Sequence, residues 1–138
     1  MPPASLRVPG PEAYADLPGD AKALVALELG DWAWPGVVVT RHGAPVLAFA
    51  NRGAPGGHPL CVRLAGPPGN PTGIGATVTL VAADGSTETA EVAAGSGWRS
   101  QDSAACFFGW REGNPPRVVR VRWPDGASLG RGTPRPKI

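Results

Sequence analysis

The sequence predicts an all-β chain: a small sandwich of antiparallel strands with an N-terminal β-hairpin extension. Three observations carry that prediction. Apolar and polar residues alternate with period two in several short runs. Turn-forming residues recur every 8–15 positions. No segment sustains the i, i+3, i+4 apolar period of a helix. A chain of 138 residues holds one such domain, or one with an appendage. With 42% hydrophobic and 17% charged residues, it can bury a core. The 20 glycines and 17 prolines would argue for disorder if dispersed, but they gather at the ends and in turns.

The elements follow in chain order. Residues 1–20 hold five prolines and little apolar material, and read as a flexible leader. They show no apolar signal-peptide core, so no signal peptide is expected. "AKALVALELG" (21–30) fits a short helix or a strand. "PGVVVTRHG" and "PVLAFANRG", joined across His42-Gly43-Ala44, read as a β-hairpin. In "HPLCVRLAG", Leu60, Val62 and Leu64 point one way, and Cys61 and Arg63 the other. "GATVTLVAADG" alternates too, and Asp84-Gly85 predicts a tight reversal into "STETAEVAAG". "SAACFFGW" and "RVVRVRWPDG" are two further strands. In the last, Val119, Val121 and Trp123 share one face, and Arg120 and Arg122 the other. Residues 129–138 read as a basic, flexible tail.

Charge excludes little. The net charge is +2, but residues 111–138 carry seven basic and two acidic groups. No aromatic stacking motif interleaves with those arginines, so a solvated strand face is expected, with no nucleic acid as partner. No run approaches the ~18 apolar residues of a membrane helix, so no membrane span is expected.

Tests for chemistry are mostly negative. "GNPTGIGAT" (69–77) has glycines spaced like a phosphate loop, but it lacks the lysine of one. Its glycines lead into a strand, so no helix N-terminus is available to hold a phosphate. "AGSGW" misses the nucleophile-elbow pattern by one position. Glu88 and Glu91 fall on opposite faces of one strand and form no acid–base pair. Cys106 sits in apolar "ACFFGW" and reads as a small buried hydrophobe. Two cysteines make no disulfide framework, and whether Cys61 and Cys106 pair stays open. No metal ligand set and no cofactor motif is found.

Five tryptophans are many for so short a chain. A loop tryptophan offers a flat ring to a protein or a sugar. Trp98, in "GSGWRSQ", is the foremost candidate, whereas Trp110 and Trp123 end strands and also suit a sandwich edge. The residues assigned a binding role are Ser96, Trp98, Arg99, Ser100, Gln101, Trp110 and Arg111.

Six motifs stand in order: "FANRG", "HPLCVRLAG", "GNPTGIGATVTL", "GSGWRSQDS", "FFGW" and "VVRVRWPDG". Together they resemble the ASPIC/UnbV domain, the C-terminal domain of cartilage acidic protein-like FG-GAP/VCBS-repeat proteins, over about residues 51–127. The resemblance marks Asn70, Gly73, Ile74, Gly75, Ala76, Phe108, Gly109, Trp123, Pro124 and Gly126 as fold-specifying, with Ile74 as an apolar plug. It divides the chain into the leader, a degenerate propeller-repeat hairpin at 21–53, a sandwich at 54–128, and the tail. Departures are visible: Pro71 and Trp110-Arg111 replace residues usual in the family. In the hairpin only Asp31, with Glu28, keeps a calcium-loop position, so no calcium is expected.

The resemblance implies a non-catalytic recognition module that binds a protein or a glycan. A second expectation is a structural partner that completes a β-propeller encoded separately. A third is an accessory role in natural-product biosynthesis of the enediyne type, for which Asp102 with His58 or Arg99 is the nameable pair. The family is usually exported, so the compartment stays open.

Overall fold

A computed structural model describes residues 19–29 and 34–132. Residues 1–18 of the proline-rich leader, Asp31 and the last six residues of the tail lie outside the described residues. Among the described residues there are nine strands, all antiparallel, and no helix. Among the described residues no helix is therefore long and apolar enough to cross a membrane. The chain divides into two units: residues 1–52 with 95–103, and residues 53–94 with 104–138.

The first unit holds a three-stranded meander of β1 (Asp20–Glu28), β2 (Pro35–His42) and β3 (Ala44–Phe49). The segment open to helix or strand is the strand β1. Its apolar run lies opposite the β-branched run of β2, with Leu24 facing Val39, Val25 facing Val38 and Ala26 facing Val37. Three consecutive valines favour the pleated sheet, and their partner follows. Gly43 turns the β2–β3 hairpin at φ 66°.

The second unit is a two-layer sandwich. One layer pairs β4 (Gly57–Val62) with β7 (Cys106–Arg111). The other is a four-stranded sheet in the order β6-β5-β8-β9, formed by β6 (Thr87–Glu91), β5 (Thr77–Ala82), β8 (Pro116–Arg122) and β9 (Ser128–Gly132). The core collects the inward residues of both layers: Ala76, Val78, Leu80, Val92, Cys106, Phe108 and Val121, with Leu60, Val62 and Trp123 against them. On β5 and β7 the buried residues alternate, Val78 with Leu80 and Cys106 with Phe108, as period two requires.

Two turns of this unit use the same chemistry. In 82–86 and again in 123–127, the fourth residue is a left-handed glycine, Gly85 at φ 86° and Gly126 at φ 89°. Its N–H donates to the first residue's carbonyl, and the first residue's N–H donates to the fifth residue's carbonyl. The aspartate before the glycine accepts from the fifth residue's N–H, Asp84 from Ser86 at 2.8 Å and Asp125 from Ala127 at 2.9 Å. The reversal at Asp84-Gly85 is thus a three-residue loop with one left-handed residue, not a two-residue turn with two.

Two expectations need correction. Residues 129–132 are not tail: β9 pairs with β8 from Arg122–Ser128 to Val118–Gly132. A strand rich in glycine has little propensity of its own, and the free edge of β8 supplies it. Ile74 is not a plug but 44% exposed, while Ala76 is fully buried.

Candidate functional site

The loop at 95–103 belongs to the first unit, with the three-stranded sheet, although both its chain neighbours lie in the second. Its anchor is Asp102, whose Oδ1 accepts the Ala26 N–H at 2.6 Å. Ser103 then donates its N–H to the Ala26 carbonyl at 3.1 Å. The two bonds satisfy both backbone groups of Ala26 on the edge of β1 away from β2, as an added strand would. Inside the loop, Ser96 Oγ accepts the Asp102 N–H at 2.7 Å. Gln101 accepts the Gly95 N–H through Oε1 and donates through Nε2 to the Asp102 carbonyl at 3.1 Å. Ser100 tucks its hydroxyl beneath Gly97, where any Cβ would collide with it.

This bracing leaves Trp98 and Arg99 at the tip. Trp98 is 75% exposed. Arg99 is the non-glycine residue with positive φ among the described residues, at 51°. Its guanidinium stands 5.9 Å from the centre of the Trp98 ring. Ser96 and Gln101 therefore hold the loop, Ser100 fills the space beneath Gly97, and Trp98 with Arg99 face solvent.

Trp110 and Arg111 lie elsewhere, in the second unit at the end of β7. Trp110 faces His58 across the β4–β7 pair and stacks on it, with ring centres 4.3 Å apart and an interplanar angle of 22°. His58 Nε2 is shielded from solvent without a hydrogen bond and lies 3.6 Å from the Glu112 carboxylate. Trp110 and Arg111 line a groove of about 480 Å³ with Leu80, Glu88 and Asn114. Asn114 clips two turns together: its Oδ1 accepts the Asp84 N–H at 3.0 Å and its Nδ2 donates to Ser86 Oγ at 3.4 Å. Ser86 in turn holds the Asp84 carboxyl below its ordinary value, by its hydroxyl first and its N–H second. The binding residues assigned from the sequence thus fall in two places, five on the 95–103 loop and two at this groove.

The motif around Gly73 and Gly75 has a different task. Asn70 Oδ1 accepts the Ile74 N–H at 2.8 Å, and Asn70 Nδ2 donates to the Ile74 carbonyl at 2.9 Å. The loop thus grips the backbone of Ile74 and leaves its side chain outside. Gly73 and Gly75 take φ 73° and 81°. A Cβ on Gly73 would press on Leu64 and Trp123, and one on Gly75 on Pro124. These glycines allow left-handed backbone to lie against Trp123-Pro124.

The cysteines face apart. Cys106 lies opposite Val62 in register, one residue along from Cys61, so the two side chains project to opposite faces. No disulfide joins them, and burial raises the pKa of Cys106. The Asp102 carboxylate serves the Ala26 N–H. Among the described residues no three His, Cys, Asp or Glu side chains converge as a metal ligand set.

The roles of His58 and Asn114 were not visible in the sequence, because each depends on which strands and turns pair. No curated protein matches the chain. A family model described as ASPIC and UnbV matches residues 66–130, from the turn before the Asn70 loop through the Trp98 loop into β9. Residues 66–130 of this chain therefore belong to the ASPIC and UnbV family.

Proposed function

We propose that the chain is a non-catalytic recognition module that binds a protein or a glycan through the tip of the 95–103 loop. The observation that carries this reading is the tip itself: Trp98 at 75% exposure beside Arg99 at φ 51°. A single exposed apolar ring is ordinary. A left-handed arginine next to it is not, because that backbone costs about 1–2 kcal/mol for an L-residue and glycine would avoid it. Tryptophan and arginine are the residues most enriched where partners meet. A loop braced by Ser96, Gln101 and Asp102 loses little further freedom on contact.

The test is a screen of the full chain on a glycan array and a protein array, repeated with Trp98→Ala and Arg99→Ala. Hits that disappear in both variants, with unchanged circular dichroism, support the reading. No hit on either array, or hits that both variants keep, would remove it.

A second reading is favoured by one observation. The sheet β1-β2-β3 has three antiparallel strands, and a propeller blade has four. Its β1 edge is occupied by Asp102 and Ser103, so a propeller protein completing the blade would pair with β3. Co-purification with the product of an adjacent propeller gene, and slowed amide exchange in Ala44–Phe49, would support it. Unchanged exchange there in the presence of that protein would sink it.

A further inference from the structure

We propose that the groove beside Trp110 is a saccharide subsite, separate from the Trp98 loop and independent of it. The position of the groove follows from register. On β7, Cys106, Phe108 and Trp110 alternate toward the interior, and the first two are buried while Trp110 is half-buried. On the facing layer, Glu88 lies opposite Leu80, so its carboxylate stands on the same face as that core residue. One pair further along the same face, Ala90 lies opposite Val78 and the space is filled. The core thus runs out between Leu80 and Trp110, and the open end is the groove of about 480 Å³. That volume lies within the range of small-molecule sites.

The lining is mixed in a particular way. The Trp110 ring is backed on one side by His58 at 4.3 Å, which fixes its orientation. Asn114 holds the rim by bonding to Asp84 and Ser86, so the opening is shaped before any ligand arrives. Glu88, exposed, brings an acceptor-only carboxylate to the groove, and Arg111 lines its end. Leu80 forms an apolar base.

A neutral pyranose matches all of these. Its axial C–H face suits an indole ring, and its neighbouring hydroxyls can donate to a carboxylate. An anionic ligand would be repelled by Glu88. An inward carboxylate on the edge strand β6 also discourages edge-to-edge pairing. That role accounts for Glu88 but leaves the Trp110 ring on an open groove unexplained.

The experiment is a titration of the full, isotope-labelled chain with methyl glycosides of glucose, galactose, mannose and N-acetylglucosamine, read at the indole N–H signals. Trp110→Phe assigns its signal, and Trp98→Ala identifies that of the loop. At least one glycoside should shift the Trp110 signal saturably. Glu88→Gln should then weaken binding about tenfold, as expected for losing a charge-assisted hydrogen bond. Trp98→Ala should leave it unchanged. The proposal is overturned if no glycoside moves the Trp110 signal, if shifts are confined to Trp98, or if Glu88→Gln and Arg111→Gln both bind as well as the parent. Because both of those substitutions are at exposed positions, they test the site even where Trp110→Phe fails to fold.

Discussion

Two loops of this molecule look alike in the sequence and do opposite things. Residues 69–76 and 95–103 are both glycine-rich, and both are held by polar side chains bonded to backbone. In the first, Asn70 grips Ile74 from both sides, and left-handed Gly73 and Gly75 lie against Leu64, Trp123 and Pro124. The loop delivers Ala76, fully buried, to the head of β5. In the second, Ser96, Gln101 and Asp102 consume the backbone groups, and the product is an exposed Trp98. The first loop spends its bonds on burial and the second on presentation. Glycine spacing therefore says that a backbone is bent, and only the fate of the neighbouring large side chain says what the bend is for.

The sharpest way to break this comparison is through stability. Phe108 is buried at the centre of the sandwich core, while Trp98 is a larger ring left in water. Phe108→Ala should cost about 3–5 kcal/mol, the transfer term plus a cavity. Trp98→Ala should change stability by less than about 0.5 kcal/mol. Urea unfolding of both variants measures the gap. A cost for Trp98→Ala approaching that of Phe108→Ala would make the loop ring a structural one.

A smaller effect separates the two anchors. Asp102→Ala removes a charged acceptor from a partly buried N–H and should cost about 1.5–3 kcal/mol. Asn70→Ala loses two bonds to the exposed Ile74, where water takes their place, and should cost about 1 kcal/mol. Amide exchange adds the location: the Ala26 amide should lose protection in Asp102→Ala and keep it in Asn70→Ala. Equal protection of Ala26 in both would mean that Asp102 does not hold the loop to β1.

What was legible in the sequence is what local pattern carries. The alternation of Val78 and Leu80, or of Val119, Val121 and Trp123, reports which face is buried, because each side chain sits within two residues of its signal. The turn at Asp84-Gly85 was visible for the same reason, though its three-residue geometry depends on Ser86. The segment of β1 was ambiguous, since a run of leucine, valine and alanine suits either period until β2 pairs with it. Strand β9 was hidden because Ser128–Gly132 has no propensity for a strand and acquires one from β8. The site was less legible still. Ala26 and Asp102 are 76 residues apart, and no local feature announces that one will cap the other. The stacking of His58 on Trp110 likewise exists only in the β4–β7 register.

The finest test bears on Arg99 alone, at the tip where the two loops differ most. Its φ of 51° would suit glycine, the residue the 69–76 loop uses at its own left-handed positions. Relief of that strain is worth about 1–2 kcal/mol. The extra freedom of glycine in the unfolded chain takes back about 0.5–1 kcal/mol. An exposed contact with Trp98 at 5.9 Å adds a further loss of about 0.5–1 kcal/mol. Arg99→Gly should thus change stability by no more than about 1 kcal/mol in either direction, while the array hits of the parent chain weaken at least about tenfold. A variant that loses more than about 1 kcal/mol would show that the arginine side chain holds the loop. The tip would then be built for the fold, as residues 69–76 are. A variant that keeps its stability and loses its partner would mean that the strain at position 99 is retained for contact.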